Sequence, residues 1–417
     1  MTLNGVITAG ISIVKQSKIL TLSDHKTSSF FELNQFPKGQ DPVHFLPQYN
    51  VLIIFLFLTP KLSQKYGSIY SIQMGPKKVV VLSGYETVKE ALVAYGNQFG
   101  ERSQVPIFER IFNGKVMNAS VANIIVSVLF GKRFEYQDPQ FLRLLTLIGE
   151  NVKLVGSPRI AVIVSFPFTF SSPEKHLIDH EKESLENCHF KSRYFLKCSE
   201  YNASADYFSD ENLVALVSNL FAAGTETTVS TLRWGILLMM RYPEVQKKVC
   251  DEIAKVVGLA QPRIAHRTQM PYTDAVIHEV QRFANILPTS LPHATTTNVK
   301  FKNYYIPKGT EVITLLTSVL QDPTQWEKPH TFNPEHFLNS KGKFVKREAF
   351  MPFSVGNRKC VGESLARMEL FLFFTSLMQK FTFQPPHGVS HLDLDLTPDI
   401  GFTTRPMPHK ICALLRV

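Results

Sequence analysis

One cysteine, Cys360, stands between two glycines directly ahead of a long apolar run. Residues 353–362 read Phe-Ser-Val-Gly-Asn-Arg-Lys-Cys-Val-Gly, and residues 363–381 are rich in Leu, Met and Phe, which predicts a buried helix. Backbone amides at the start of a helix stabilise a thiolate, and Gly356 permits a tight turn or the close approach of a flat ligand. The pattern therefore indicates either a thiolate ligand for haem iron or a buried structural cysteine.

A second helical run extends over about thirty residues, from Asp210 to Met240, and Pro243 ends it. At 1.5 Å per residue such a helix is roughly 45 Å long, enough to cross a whole domain. Within it, residues 223–228 read Ala-Gly-Thr-Glu-Thr-Thr, an unfavourable choice for a helix interior. A threonine hydroxyl can bond to the carbonyl one turn earlier and bend the helix. The stretch indicates either an ordinary kink or a helix opened over a bound metal.

The pattern Phe-x-x-Gly-x-x-x-Cys-x-Gly resembles the haem-binding loop of the cytochrome P-450 family, the haem-thiolate monooxygenases. The likeness is to vertebrate microsomal family 2, subfamily K; it runs from about Asp210 to the C-terminus and is patchier before that. It implies a mainly α fold with small β-sheets (α+β), in one large domain over residues 61–417. Residues 1–60 match nothing and remain unassigned.

The resemblance implies roles for individual residues. Thr227 and Glu226 would be catalytic, because oxygen activation needs protons delivered in an organised way. The residues implied to bind the cofactor are Cys360 (to the metal), Arg358, His293, Phe353 and Gly356. Arg358 and His293 would contact the haem carboxylates; the alternative for each is a surface charge. Lys359 departs from the family pattern, where the position beside the cysteine is usually apolar; its charge either raises the iron's potential or points to solvent.

A structural set and a substrate pocket complete the implied site. Glu279 and Arg282 lie three apart on one predicted helix and share a face, and the resemblance adds His336 as the third member of a scaffold that holds the haem loop. The positions that match substrate-facing segments are apolar or small, which suits a lipophilic substrate. They are Phe221, Ala222, Ile286, Leu287, Leu291 and Ile400.

Charge and composition restrict the partners. The net charge is +10, but the 45 Lys and Arg residues are scattered, with no long basic run and no recognised nucleic-acid motif, which argues against a nucleic-acid function. No Gly-x-Gly-x-x-Gly occurs, so electrons must come from another protein. The resemblance implies O2, an NADPH-dependent flavoprotein reductase, a cytochrome b5-type donor and a membrane surface on the cytosolic face of the endoplasmic reticulum. The family's apolar anchor is not visible, since residues 51–58 are too short to span a bilayer.

The sequence also departs from the family pattern after Lys115. A helix with Trp-x-x-x-Arg should follow there, yet the only tryptophans are Trp234 and Trp326. We expect that a block of several dozen residues is missing between Lys115 and Val116, and residues 165–208 are atypical. Two hypotheses follow: a working monooxygenase, or a non-catalytic family member that binds haem poorly. An unrelated helical structural protein would require every motif to be coincidental.

Periodicity and turn residues predict further secondary structure. The expected strands are 66–74, 79–82, 301–305 and 310–315, the expected helices are 85–93, 244–257 and 273–283, and a final hairpin region is expected over 393–404. The family resemblance implies a further helix over 116–134.

Overall fold

The computed structural model describes residues 62–74, 77–103, 135, 137–139, 210–401 and 403–416. The unassigned residues 1–60, the expected helix 116–134, the junction after Lys115 and the atypical stretch 165–208 lie outside the described residues.

The helices of the described part begin and end where backbone chemistry favours it. α3 and α4 each start with a proline, whose missing N–H and fixed φ suit the first helical position. α4 ends at Asn285, which adopts the left-handed conformation with φ 42°. The α-helices are α1 (Tyr85–Lys89), α2 (Asp210–Arg241), α3 (Pro243–Val256), α4 (Pro271–Ala284), α5 (Thr317–Leu320) and α6 (Glu363–Lys380). Shorter turns are the π-helical Glu90–Ala94 and the 3-10 segments Ile264–Gln269, Pro334–Phe337, Gly356–Arg358 and His391–Asp393.

The four long helices pack around one apolar core. α2, with 32 residues, crosses it, and its Trp234 is 2% exposed and donates from Nε1 to the carbonyl of Thr404 at 3.1 Å. α3, α4 and α6 pack against it through Val249, Val276 and Phe371, which are all buried. This core fixes α2 and α6, the two helices that carry the predicted chemistry, against each other.

A mixed five-stranded sheet and three separate pairs of strands form the second part of the fold. The strands are β1 (Ile69–Met74), β2 (Lys77–Leu82), β3 (Glu101–Arg102), β4 (His293–Ala294), β5 (Val299–Phe301), β6 (Tyr304–Ile306), β7 (Glu311–Thr314), β8 (Phe381–Gln384), β9 (Pro398–Ile400), β10 (Thr404–Pro406) and β11 (Cys412–Leu415). The sheet order is β1-β2-β7-β4-β3, with only β2 and β7 parallel. β5–β6, β8–β11 and β9–β10 form separate antiparallel pairs. At the edge, β3 pairs with β4 so that Arg102 lies opposite His293.

The mixture of long helices and small sheets confirms the predicted fold class, but some element bounds were wrong. The expected strand 301–305 is interrupted, because Lys302 has φ 51° and makes the turn between β5 and β6. The expected helix 85–93 changes from α to π after Lys89. The final helix ends at Lys380, because Phe381 is extended and begins β8. The C-terminal hairpin begins at Pro398 and runs on to Pro406, later than expected.

Candidate functional site

Cys360 lies in a tight loop directly before α6. Its N–H donates to the carbonyl of Phe353 at 2.9 Å, and Gly362 precedes the first helical residue. The thiol is free and exposed. Partial desolvation by the surrounding loop raises the pKa of the Cys360 thiol, whereas the backbone amides of Gly362 and Glu363 act to lower it. The loop therefore presents an accessible sulfur with amide donors beside it.

Gly356 and Phe353 have partners inside the protein. Gly356 has φ +75°, and a Cβ built there would lie 1.8 Å from the carbonyl oxygen of Leu92, so only glycine fits this close approach. The guanidinium of Arg367 lies 5.3 Å from the centre of the Phe353 ring. Through these contacts with Leu92 and Arg367, Gly356 and Phe353 fix the shape of the cysteine loop.

A cluster of Arg102, His293 and Arg358 forms where the sheet edge meets the cysteine loop. Arg102 Nη1 donates to the carbonyl of Leu291 at 3.1 Å and lies 3.3 Å from His293 Nε2, while its Nη2 donates to the carbonyl of Arg358 at 3.3 Å. Arg358 Nε donates to the carbonyl of Gly100. We call these three side chains the cation cluster; the hydrogen bonds of its two arginines run to backbone carbonyls and to an imidazole, all of them neutral acceptors.

Electrostatics in the cation cluster favour an added anion. Burial, followed by the charge of Arg358, lowers the pKa of Arg102. Burial lowers the pKa of His293 to about 4; the Phe99 carbonyl, 2.9 Å from Nδ1, opposes this and the two arginines add to it. His293 is thus neutral, donating from Nδ1 and accepting from Arg102 at Nε2. Two like charges held close to each other are relieved by an anionic ligand.

Sequence reasoning singled out Arg358 and His293 but not Arg102, which the structure places in the same cluster. Its partners Leu291 and Arg358 lie 189 and 256 residues away along the chain, so no local pattern marks it. The available signal was the family-like stretch Phe99-Gly100-Glu101-Arg102. Pairing of β3 with β4 is what brings it to the site.

Three consecutive residues of α2 take different partners. Thr227, half-buried, donates from its hydroxyl to the Ala223 carbonyl at 2.6 Å, the back-bond that the sequence suggested. Glu226 is buried and accepts from Ser230 at 3.0 Å and from Thr403 at 3.4 Å. Burial raises the pKa of Glu226, while Arg405 and the hydroxyl of Ser230 act to lower it.

The third of these residues, Thr228, joins α2 to α6. Its hydroxyl donates to Oε2 of Glu369 at 3.2 Å, and both side chains are buried. The other carboxylate oxygen, Oε1, has no hydrogen-bond partner in the described part of the chain. Burial raises the pKa of Glu369 to about 7, and Thr228 lowers it only in part. Sequence reasoning did not single out Glu369, which lies within an apolar run.

Glu279, Arg282 and His336 come together in the interior. Arg282 donates from Nε and Nη2 to both carboxylate oxygens of Glu279 at 2.7 Å, and to the carbonyls of Leu320, Pro329 and Thr331 at 2.7–3.0 Å. All five guanidinium N–H groups are therefore used. His336 Nδ1 lies 3.2 Å from Glu279, and both side chains of the ion pair are 0% exposed. The carboxylate of Glu279 and the guanidinium of Arg282 thus balance each other within the protein.

The predicted pocket residues are only partly described. Ile286, Leu287 and Leu291 follow α4 and are half-buried. The backbone of this stretch is held from both sides, since the Ile286 carbonyl accepts from the N–H of Thr404 at 2.9 Å and the Leu291 carbonyl binds Arg102. The side chains of Phe221, Ala222 and Ile400 lie outside what the structure describes.

Comparison with known proteins identifies the class. The family model "Cytochrome P450" matches residues 46–119 and 113–413, and the chain belongs to this family of haem-binding monooxygenases. It is 43% identical over 437 residues to cytochrome P450 2K1 of Oncorhynchus mykiss, covering 86% of this chain and 87% of that one. It is also 43% identical to cytochrome P450 2K6 of Danio rerio over 439 residues (85% and 86%) and 39% identical to human cytochrome P450 2J2 over 434 residues (85% and 86%).

The family match is made in two pieces that meet at residues 113–119. The alignment with cytochrome P450 2K1 is 437 positions long yet covers only 86% of a chain of 417 residues. The relative therefore contains several dozen residues without a counterpart in this chain. No helix among the described residues is long and apolar enough to cross a membrane.

The residues present fit haem. A free, exposed thiol supplies the soft donor that haem iron takes from cysteine. The cation cluster supplies two guanidinium groups whose mutual repulsion the carboxylates of haem would relieve.

Proposed function

We propose that this chain inserts one oxygen atom from O2 into a lipophilic organic substrate, of a xenobiotic, fatty acid or steroid type. In this proposal Cys360 is the iron ligand. Arg102, Arg358 and His293 serve the haem carboxylates. Thr227 and Glu226 serve proton delivery. The observation that carries the proposal is the cation cluster, which adjoins the loop of an exposed cysteine.

When bound, haem supplies the activation of O2; the chain's own residues supply charge, orientation and protons. Arg102 and Arg358 would hold the carboxylates of the cofactor, with His293 as a neutral support in contact with Arg102. The back-bond of Thr227 fixes its hydroxyl at a half-exposed position of α2. Burial raises the pKa of Glu226, which favours the protonated carboxyl more than at an exposed position.

The ligand assignment is tested by the ferrous CO complex. We expect the wild-type chain to show the red-shifted Soret band typical of thiolate ligation, and Cys360→Ser to lose it. Cys412→Ser is the matched control, since Cys412 is also a free thiol and is partly exposed. Retention of the band by Cys360→Ser would refute the assignment.

Electrons and location follow from the family resemblance and belong to the same proposal. The donor would be an NADPH-dependent flavoprotein reductase, with a cytochrome b5-type protein as a second donor, at the endoplasmic reticulum membrane on its cytosolic face. The net charge of +10 suits an acidic protein partner. A rate of reduction by purified reductase that falls steeply as salt is added would support this docking. A rate that does not depend on salt would oppose it.

A second candidate, a family member that retains haem poorly, is favoured by the divided match at residues 113–119. A family block lost after Lys115 would remove a cationic partner of the haem carboxylates and a wall of the pocket. Each lost charge-assisted bond is worth roughly 1.5–3 kcal/mol. We expect a low haem-to-protein ratio that rises when the corresponding block of a relative is inserted between Lys115 and Val116. Full occupancy without the insert would decide for the working enzyme.

A further inference from the structure

We propose that Lys359, Glu363 and Arg367 form a charged clamp that positions Cys360 and sets the electrostatic field at its sulfur. The proposal rests on the proposed function of Cys360 as iron ligand. It concerns residues that surround the ligand rather than touch the cofactor, so they are positioning residues.

The clamp closes around the cysteine. Lys359 and Glu363 flank Cys360 in the sequence, and Lys359 Nζ lies 2.6 Å from Glu363 Oε2. On the other oxygen, Glu363 Oε1 accepts from Arg367 Nε at 2.9 Å and lies 2.8 Å from Nη2. Glu363 is also the first residue of α6, where the helix dipole favours a negative charge. One carboxylate thus ties the residue before the cysteine to the helix after it.

Arg367 joins the clamp to the rest of the protein. Its Nη1 donates to Nε2 of His278 on α4 at 2.7 Å, and His278 Nδ1 in turn donates to the Asp274 carbonyl at 2.7 Å. The same guanidinium lies 5.5 Å from the Phe350 ring and 5.3 Å from the Phe353 ring, on the segment that enters the loop. The cysteine loop is therefore held against α4 and against its own entry by a single side chain.

The clamp also decides the sign of the local charge. Glu363, three residues after Cys360, places one negative charge beside the cysteine loop. Lys359 and Arg367 turn that single negative charge into a net positive one. A net positive charge near the iron favours its reduced, less positive state. Lys359 is the residue that departs from the family pattern, and the structure pairs it with Glu363 rather than leaving it free in solvent.

The charge effect is tested by the reduction potential of the haem-loaded chain. Lys359→Met removes a positive charge and lowers the potential, Glu363→Gln removes a negative charge and raises it, and the double variant restores the wild-type sum. We therefore expect the order Glu363→Gln above wild type, wild type equal to the double variant, and Lys359→Met lowest. Lys341→Met, an exposed lysine elsewhere, is the matched control. A Lys359→Met potential equal to that of Lys341→Met would overturn the field effect.

Positioning is tested separately by amide hydrogen exchange at residues 358–363 in the cofactor-free chain. Because the Lys359 pair is half exposed, we expect about two- to fivefold faster exchange in Lys359→Met and in the double variant, and a larger change in Arg367→Met. Arg367→Lys, which keeps the charge but not the fork, keeps only part of the protection. Exchange at the wild-type rate in all of these would refute the clamp.

The two readouts separate the clamp from the function on which it rests. A haem-loaded wild-type chain without the thiolate Soret band refutes Cys360 as the ligand, whatever the exchange rates. Wild-type exchange and potentials in the variants, with the band intact, refute the clamp alone.

Discussion

The scaffold set of Glu279, Arg282 and His336 and the cation cluster of Arg102, His293 and Arg358 have contrasting charge balance. In the first, one arginine uses all its donors on a carboxylate and three carbonyls, deep in the interior. In the second, two arginines lie close to each other, and the acceptors that they bind are neutral. The protein completes the first set by itself, whereas the second calls for an anion from outside.

The charge balance of each set distinguishes a structural role from a ligand-binding role more clearly than residue type does. Both sets contain arginine and histidine, and both join distant parts of the chain. A balanced buried set contributes to folding, and removing one member leaves an uncompensated charge. An unbalanced set costs stability on its own and repays it when a ligand binds. Substitutions in the first set should therefore lower mainly the stability of the fold, and those in the second set mainly the affinity for the ligand.

The largest effect is expected at the scaffold. Glu279→Ala or Arg282→Ala leaves one buried charge unpaired, at a cost of about 3–5 kcal/mol, and both folded protein and haem content should fall. Denaturant unfolding of the cofactor-free chain measures the first, and Glu86→Ala, at an exposed position of α1, is the control. Normal stability and haem content with activity lost would instead make this pair catalytic.

Substitutions in the cation cluster should act mainly on haem binding. Arg102→Met or Arg358→Met removes a charge-assisted bond to the cofactor, worth roughly 1.5–3 kcal/mol, so haem affinity should fall about ten- to a hundredfold. Without haem the same variants should lose much less stability than the scaffold variants, because relief of the repulsion between the arginines offsets part of the lost hydrogen bonds. Competition for haem by an excess of apomyoglobin gives the affinity, with Arg263→Met as an exposed control. A loss of cofactor-free stability as large as that of Glu279→Ala would show instead that this cluster is structural.

A smaller, pH-dependent effect is expected at Glu369. Its folded pKa is about 7 against an ordinary 4.5, so between these values the folded chain binds more protons than the unfolded one. This contribution to stability is fully present below pH 4.5 and is lost as the pH rises through 7. Glu369→Gln, which mimics the protonated acid, should remove that fall. Unfolding midpoints from pH 5 to 8 measure it; parallel curves for wild type and variant would contradict the raised pKa.

The smallest effect on stability is expected at Thr227. Thr227→Ala loses one back-bond, worth about 1 kcal/mol, but should divert reducing equivalents from product to peroxide, because the hydroxyl that organises protons is gone. Thr231→Ala is matched, since Thr231 makes the same bond to the Thr227 carbonyl at 2.8 Å. Product formed per NADPH consumed is the measurement. An equal ratio in both variants would remove Thr227 from the proposed catalytic residues.

The sequence predicted best what short-range chemistry decides. Pro243 and Pro271 mark the starts of α3 and α4, and the apolar run after Gly362 is α6. The spacing of Glu279 and Arg282 was enough to expect a pair on one face. The sequence could not reveal that the chain reverses at Lys302 within a predicted strand, because that depends on a single positive φ. Nor could it reveal Arg102 or Glu369, whose meaning comes from partners on other elements.

The contact between Gly356 and the Leu92 carbonyl has a consequence for how the chain acquires its site. Leu92 belongs to the π-helical turn near the start of the described chain, and the neighbouring contact of Asn357 Nδ2 with Asn97 Oδ1, at 2.8 Å, joins residues 260 apart. During synthesis Leu92 and Asn97 emerge long before Gly356 and Asn357. The cysteine loop can pack against them only when both segments have been made. The loop is thus expected to order late in folding. Haem would therefore bind only to a chain in which these distant segments are already in contact.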